Sequence, residues 1–315
     1  MGPGRSDKAV GQGGNGGVAT GRAAQLPAYR YLLRSARRAG RSCLVTARQH
    51  SGLAGLLPRL LIVGGQRCGT SSMSHALSQH PAMFRAALGM EVHYFDAEYG
   101  RGLDWYRSHF PRPAPARSAA QVVGTHPVAF ESCPYYMFHP LAAERIFRDL
   151  PGVKLLVLLR DPVERAYSAH AHEVAWGFET EQFERALSLE ADRLAGEAER
   201  ILADPGYVSF SHRHHAYRAR GQYAEQLERL EKIFGRERLQ IVDSKSFFTD
   251  PEPVYHGVLE FLGLSHGGHP VFQRRNARPR APIAPAIRAA LEEHYRPHDE
   301  RLAGWLGHQP SWRVA

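Results

Sequence analysis

The chain has 315 residues, 40 Lys and Arg against 31 Asp and Glu, and a formal net charge of +9. Its 43% hydrophobic and 23% charged residues are ordinary for a globular protein, which excludes a chain disordered throughout, a collagen and a disulfide scaffold. Three cysteines without a C-x-x-C pair support neither a zinc ribbon nor an oxidised framework. Because there is no long apolar run and no secretory signal pattern, we expect a cytoplasmic protein without a transmembrane segment.

The positive charge is concentrated in the first quarter of the chain. Between Asp7 and Glu91 there are eleven basic residues and no acidic one. The net positive charge therefore does not indicate a nucleic-acid-binding domain, and we expect no nucleic-acid partner. Residues 1–26 are rich in glycine and predicted to be disordered, and residues 27–49 could form a short basic helix. We interpret residues 1–56 as a basic tail and 57–315 as one domain, with peripheral contact of the tail to an acidic membrane as the less favoured alternative.

Apolar strands alternate with helices along this domain. Residues 60–65, 153–159 and 239–244 are short apolar runs typical of buried parallel strands. Helices are predicted at residues 71–80, 140–150, 162–175, 181–202, 216–234, 252–262 and 285–294. The alternation predicts an α/β fold with a P-loop-like, doubly wound parallel sheet flanked by helices in a single domain.

A glycine-rich loop, GGQRCGTSS at residues 64–72, follows the first predicted strand. A loop between a buried strand and a helix directs backbone N–H groups and the helix dipole at one place, which suits phosphate or sulfate. The spacing resembles a nucleoside-triphosphate P-loop, but Thr70 stands where that loop needs Lys, and Arg67 is the basic residue instead. We expect an anion site that is not an ordinary Mg-ATP site. A purely structural turn is the alternative.

A second candidate anion site follows the strand at residues 153–159, in the sequence RDPVERAYS. Arg160 lies where that strand ends, at the edge where open α/β sheets bind ligands. Ser168 follows about two helical turns later. The two side chains could hold a second phosphate, whereas a surface pair of Arg160 with Asp161 is the alternative.

Together, these two segments resemble the sulfotransferases that use 3′-phosphoadenosine 5′-phosphosulfate. The first is similar to a (K/R)-x-G-T-(S/T)-S loop, and the second to R-(D/N)-P-x-(E/D)-R-x-x-S. EVHYFD at residues 91–96 and ESCPYY at residues 131–136 resemble segments of heparan-type carbohydrate sulfotransferases. The resemblance covers residues 58–308.

The resemblance implies a donor site built from both segments. The first loop would bind the 5′-phosphosulfate, and Arg160 with Ser168 the 3′-phosphate. The donor-binding residues so assigned are Arg67, Cys68, Gly69, Thr70, Ser71, Ser72, Arg160 and Ser168, with Arg274 and Arg275 as further candidates for the 3′-phosphate. Met90 and Ser132 stand where heparan-type enzymes have lysines near the donor or substrate. The acceptor, a carbohydrate or a small metabolite with a hydroxyl or amine, therefore stays open.

Sulfuryl transfer by in-line displacement needs a base and charge stabilisation, but no metal. The family match favours Glu91 as the base, with His93 beside it, and Arg67 suits the charge on the leaving oxygen. The alternative base is His126, in a GTHP segment similar to that of cytosolic small-molecule sulfotransferases. HRHH at residues 212–215 is interpreted as a solvated helix start in preference to a metal site.

Two other functions remain open from the sequence. One is a P-loop-type kinase of a small metabolite, against which the missing loop Lys counts. The other is a catalytically silent nucleotide-binding protein, against which the presence of both Arg67 and Glu91 counts.

Overall fold

The computed structural model describes Val45 and residues 55–87, 91–267, 270–275 and 281–314. Most of the predicted tail therefore lies outside the described residues, and so does the predicted short helix except for Val45. Val45 is helical and buried in the hydrophobic core, with 1% of its surface exposed. The Leu56 amide donates to the carbonyl of Pro111 at 3.0 Å. The boundary predicted at residue 57 thus leaves out residues that pack on the domain.

The centre of the fold is a five-stranded sheet of order β2-β3-β1-β4-β5 in which all neighbouring strands are parallel. The strands are β1 (Pro58–Gly64), β2 (Met83–Arg85), β3 (Val128–Ser132), β4 (Lys154–Leu159) and β5 (Leu239–Asp243). After β1 the chain builds one side of the sheet with β2 and β3, and then the other side with β4 and β5. Such a reversal leaves a crevice at the carboxyl ends of the central strands, where ligands bind in open α/β sheets. The predicted α/β fold is confirmed.

Helices cover both faces of this sheet. They are α1 (Thr70–Leu77), α2 (Leu103–Arg107), α3 (Pro113–Gln121), α4 (Ala142–Asp149), α5 (Pro162–Trp176), α6 (Phe183–Leu194), α7 (Glu197–Ala203), α8 (Phe210–His214), α9 (Tyr223–Phe234), α10 (Ser244–Thr249), α11 (Pro251–Leu262) and α12 (Pro285–Leu306). None of the helices in the described part of the chain combines the length and apolarity that crossing a bilayer requires.

The two faces of the sheet contribute to two separate hydrophobic clusters. In β1, Leu61 and Val63 belong to one cluster, while Leu60 and Ile62 belong to the other. The same alternation runs along β4, since successive side chains of a strand point to opposite faces. Burial on both faces explains why these strands are continuously apolar in the sequence.

Three predicted helices differ from the observed ones. The run at 181–202 is divided at Gly196, whose φ of 72° ends one helix and starts the next. In the run at 216–234, α9 begins only at Tyr223, because the Arg218 and Ala219 amides donate to the buried Glu190 carboxylate instead of to a helix. The last helix continues past residue 294 and through Pro297 to Leu306.

Candidate active site

The loop after β1 approaches the rest of the protein closely. Gly69 has a φ of 94°, and a Cβ at this position would lie 2.9 Å from the ring of Phe248. The backbone conformation therefore favours glycine at this position, and a larger residue would also have to displace the ring of Phe248. Arg67 has a φ of 69°, and only it and His93 have a positive φ among the described residues other than glycine. Backbone strain of this kind is concentrated at functional sites.

The two candidate anion segments meet in the structure. Arg67 Nε donates to Ser168 Oγ at 3.1 Å, and Arg160 Nη1 donates to the carbonyl of Arg67 at 3.3 Å. Both segments border a cavity of about 840 Å³. The predicted donor residues that line this cavity are Arg67, Gly69, Thr70, Ser71, Arg160, Ser168, Arg274 and Arg275. Residues more than 90 positions apart thus form one cationic, hydroxyl-rich site.

Cys68 and Ser72 are predicted donor residues that do not line the cavity. Cys68 is fully buried below the loop, where burial raises the pKa of its thiol, and its Sγ lies 3.7 Å from Tyr223 Oη. Ser72 is 2% exposed, and its Oγ accepts from the amide of Arg275 at 2.9 Å. These two side chains therefore hold the loop and its neighbour in place, and a contact of these residues with the donor stays a prediction.

Part of the cavity wall was not indicated by the sequence. Lys245 and Phe248 come from α10, which begins directly at the carboxyl end of β5. Because ligands bind at the carboxyl ends of parallel strands, this position was the signal that could have identified both residues from the sequence. Trp312 comes from the segment that follows α12. Its Nε1 donates to Asp299 at 3.1 Å, and the same carboxylate oxygen accepts from Arg313 Nε at 2.6 Å.

The second group of candidate residues lies at the carboxyl end of β3. His93 has a φ of 60° and lies between two carboxylates: its Nε2 is 3.0 Å from Glu91 Oε2, and its Nδ1 is 2.7 Å from Asp96 Oδ2. Arg213 Nη2 also lies 2.9 Å from Nε2. A protonated Nε2 donates to Glu91, whereas a neutral one accepts from Arg213. The Glu91 side chain is 44% exposed, while that of Asp96 is buried.

The charges in this group favour ionised carboxylates. Burial would raise the pKa of Glu91, but the hydrogen bond and charge of His93, together with Arg213, outweigh it and lower that pKa. The pKa of Asp96 falls to about 2, because His93 and Arg213 outweigh burial. Burial opposes a charged imidazole, yet the neighbouring Cys133 and Asp96 raise the pKa of His93 well above its usual range. We therefore assign a protonated His93 between two carboxylates.

The loop that carries these residues is fixed by Glu131, which is 1% exposed. One Glu131 oxygen accepts from the Val92 amide at 2.7 Å and from Tyr136 at 3.0 Å, and the other accepts from Tyr106 at 2.7 Å. Burial raises the pKa of Glu131 to about 7, although these hydrogen bonds oppose the shift. The partners of Glu131 are groups of the protein itself, so it positions Glu91 and His93.

Helix α8 connects the two groups of residues. Arg213 contacts His93, and the next residue, His214, lies with its Nδ1 2.9 Å from Glu173 Oε2. The other oxygen of Glu173 accepts from Gln66 Nε2 at 3.0 Å, directly beside Arg67 in the donor loop.

The prediction that residues 212–215 begin a solvated helix is wrong for His212. Its ring stacks on Phe138 at 4.3 Å, and its Nδ1 is 2.8 Å from Tyr135 Oη. Burial and the nearby Arg220 lower the pKa of His212 to about 3. The histidines of this segment are thus used to attach α8 to the domain.

The structure does not bring His126 to this site. His126 is exposed and lies two residues before the start of β3, at the amino edge of the sheet. The strand itself separates it by about 16 Å from the carboxyl edge, where the other candidates lie. This distance contradicts the prediction of His126 as the alternative base.

Three possible metal ligands come together within the part of the chain that the structure describes. One ligand atom each from Glu91, His93 and Cys133 lies within 4.8 Å of the others. Burial raises the pKa of the Cys133 thiol to about 12, and a thiol must lose its proton to bind a metal. The metal-free mechanism stays a prediction.

The fold and the site define a class of protein. The site combines a candidate anion loop after β1, a second candidate anion segment after β4, and a group of carboxylates and an imidazole. This combination suits an enzyme that transfers a phosphoryl or sulfuryl group. The family follows from comparison with known proteins. The family described as "Sulfotransferase domain" matches residues 57–274, and the chain belongs to that family. The resemblance found in the sequence is confirmed.

Individual relatives agree with this assignment. A crystal structure of a sulfotransferase from Alicyclobacillus acidocaldarius has a TM-score of 0.61 and 29% identity, covering 82% of this chain and 98% of that one. The membrane-associated sulfotransferase kil1 of Dictyostelium discoideum is 24% identical, over 82% of this chain and 67% of its own. The human heparan sulfate glucosamine 3-O-sulfotransferase 5 is 29% identical, over 66% of this chain. The chain spans 54% of that human relative's length.

Proposed function

We propose that the protein transfers a sulfuryl group from 3′-phosphoadenosine 5′-phosphosulfate to a hydroxyl or amine of a carbohydrate or small-molecule acceptor. The observation that carries the proposal is the meeting of Arg67, Arg160 and Ser168 around one cavity. In this assignment, the loop of Arg67 binds the 5′-phosphosulfate. Arg160 and Ser168 bind the 3′-phosphate, with Arg274 and Arg275 on the same cavity wall.

The reaction would be an in-line displacement at sulfur. As the acceptor oxygen forms its bond to sulfur, its proton passes to the Glu91 carboxylate, and the bond from sulfur to the bridging oxygen breaks. The leaving group is 3′,5′-adenosine bisphosphate. Its developing negative charge is stabilised by Arg67 and by loop N–H groups.

His93 and Asp96 would orient the base. Asp96 accepts from Nδ1 of His93, and Nε2 of that ring then donates to Glu91, which directs the free carboxylate oxygen. The lowered pKa of Glu91 keeps this group ionised, and ready to accept a proton, at neutral pH. We propose no metal for this step, and a cytoplasmic location stays a prediction.

Binding of the bisphosphate product tests the donor assignment. Arg160→Ala removes charge-assisted hydrogen bonds worth roughly 1.5–3 kcal/mol, so we expect its dissociation constant to rise about 10- to 150-fold. Arg59→Ala is a matched control, since Arg59 is exposed near the amino end of β1. Calorimetry that gave equal affinities for Arg160→Ala and the unmodified protein would refute the assignment.

The same assay separates the alternative functions. ATP lacks the 3′-phosphate, so it should bind more weakly than the bisphosphate, whereas tighter binding of ATP would favour a kinase. Donor binding without transfer of label from a ³⁵S-labelled donor to any acceptor would favour a silent nucleotide-binding protein.

A further inference from the structure

A buried carboxylate contacts both the donor loop (residues 64–72) and α8. It belongs to Glu173 of α5, which is 3% exposed. One oxygen, Oε1, accepts from Gln66 Nε2 at 3.0 Å, and the other, Oε2, lies 2.9 Å from Nδ1 of His214. Burial of a carboxylate is costly unless hydrogen bonds replace its hydration, so such a residue needs an explanation. The reaction proposed above gives Glu173 no role.

On the side of the donor, Glu173 holds the residue next to Arg67. α5 contacts the loop at two neighbouring positions. Ser168 Oγ accepts from Arg67 Nε at 3.1 Å, and Gln66, the preceding residue of the loop, donates to Glu173. Arg67 has a φ of 69°, so its conformation depends on contacts with other segments. Loss of the bond between Gln66 and Glu173 would therefore release the loop on one side of Arg67.

On the side of the base, Glu173 holds the residue next to Arg213. Arg213 and His214 are adjacent on α8, a helix of five residues. Burial lowers the pKa of His214, so its ring is neutral at neutral pH and donates from Nδ1 to the carboxylate. Arg213 Nη2 lies 2.9 Å from His93 Nε2, and its charge acts with His93 to lower the pKa of Glu91 against the effect of burial. A shift of α8 would therefore change the charge that the base experiences.

α8 has other attachments, but these do not involve the donor loop. His212 Nδ1 is 2.8 Å from Tyr135 Oη, and His215 Nε2 is 3.0 Å from the carbonyl oxygen of Phe178. Among the hydrogen bonds of α8 with described residues, the bond to Glu173 is thus the one that continues to the donor loop.

We propose that Glu173 is a positioning residue that couples the donor loop to α8, so that occupation of the donor site sets where Arg213 lies beside His93 and Glu91. The inference rests on the proposed sulfuryl transfer, which assigns the donor to this loop and the base to Glu91. Coupling between two sites is reciprocal, so a change on α8 must also alter the affinity for the donor. A chain of contacts does not by itself demonstrate coupling, whereas a double-mutant cycle measures it.

The first test is such a cycle on the full chain, with calorimetry of 3′,5′-adenosine bisphosphate. Gln66→Met keeps the length of the side chain but cannot donate, and should raise the dissociation constant about 2- to 12-fold. His214→Phe keeps a ring against Phe178 but cannot donate to Glu173. It should raise the same constant about 2- to 5-fold, although His214 does not line the donor cavity. The double variant should bind no more weakly than Gln66→Met, because either change alone breaks the connection.

The second test follows the ring of His93 by ¹⁵N NMR in the same proteins, with His93→Gln to identify its resonances. Saturation with the bisphosphate should shift these resonances in the unmodified protein and leave them unchanged in Gln66→Met and in His214→Phe. A purely structural role of Glu173 would not produce this pattern. Both variants leave the buried carboxylate in place, so the test does not depend on the folding of a protein that lacks it.

The matched control is Glu190→Gln, which changes a carboxylate that is also 3% exposed and accepts from the amides of Arg218 and Ala219. It should lower stability and leave both the bisphosphate affinity and the His93 shift unchanged. Additive effects of the two single variants on affinity, or a His93 shift that either variant retains, would overturn the inference. An unmodified protein that binds the bisphosphate without a His93 shift would overturn the inference alone. Absence of bisphosphate binding by the unmodified protein would refute the proposed function, and the inference with it.

Discussion

Replacing Glu91 by glutamine isolates the role of the base. Glutamine keeps the size of the side chain and one oxygen that can still accept from His93 Nε2, but it cannot take up the proton of the acceptor. A general base contributes roughly 10²–10⁴-fold, so turnover should fall by that factor. The side chain is 44% exposed and lies apart from the cavity that we assign to the donor, so stability and bisphosphate affinity should change little.

The assay measures transfer of ³⁵S from labelled donor at saturating acceptor, alongside calorimetry with 3′,5′-adenosine bisphosphate. His126→Ala is the control, because His126 lies at the opposite edge of the sheet and its loss should be silent. A Glu91→Gln enzyme that lost turnover less than tenfold, or lost it through bisphosphate affinity, would refute the assignment of the base. Loss of orders of magnitude in His126→Ala would transfer the role to that residue.

The pH profile gives a second readout of the same prediction. The pKa of Glu91 in the folded protein lies below its ordinary value of 4.5. The active carboxylate is thus present at neutral pH and is lost as the pH falls through the lowered pKa. kcat/KM should therefore show an acidic limb below pH 4.5, and Glu91→Gln should lack it.

Three further predictions follow from other parts of the structure. The folded-state pKa of Glu131, about 7, lies above the ordinary 4.5, so the folded state takes up a proton across that range and loses stability as the pH rises through it. The free energy of unfolding falls by about 1.4 kcal/mol for each unit by which the pKa is raised. In urea unfolding at pH 5 and pH 8, Glu131→Gln should lack this decrease, and a decrease equal to that of the unmodified protein would contradict the prediction. Incubation with EDTA should leave turnover unchanged, and loss of activity restored by Zn²⁺ would point to Glu91, His93 and Cys133 as ligands. A chain starting at residue 40 should be as stable as the full chain, whereas one starting at residue 51 should lose about 1.5–3 kcal/mol because Val45 is gone; equal unfolding midpoints would contradict the burial of Val45.

The sequence predicts those site residues that closely follow a buried strand along the chain. Arg160 directly follows β4, and Arg67 comes three residues after β1. Because parallel strands end at one edge of a sheet, the fold class alone predicts that these two residues lie close together. The glycine-rich loop and the segment that begins at Arg160 were identified in this way, whereas the base candidate Glu91 came from the resemblance to heparan-type sulfotransferases. The same reasoning applied to β5 would have indicated Lys245.

Other parts depend on contacts between distant segments. Trp312 reaches the cavity because Asp299 and Arg313 hold the chain after α12, and nothing near Trp312 in the sequence indicates a ligand. His212 is hydrophilic in the sequence, but Tyr135 and Phe138 surround it in the fold. The hydrophobic periodicity of the sequence assigns such residues to the surface, because it contains no information about contacts with residues more than 70 positions away.

The two strained residues show how the site is held ready for reaction. Arg67 and His93 both have a positive φ, a conformation that costs on the order of 1–3 kcal/mol for such residues. Each is held by contacts from another segment: Arg160 donates to the carbonyl of Arg67, and the buried Glu131 fixes the Val92 amide next to His93. These contacts offset the cost of the strain and hold Arg67 and the neighbour of the proposed base Glu91 in place before substrate binds. A group transfer that depends on alignment more than on covalent chemistry gains most from that arrangement, since no reorganisation is then needed during the reaction.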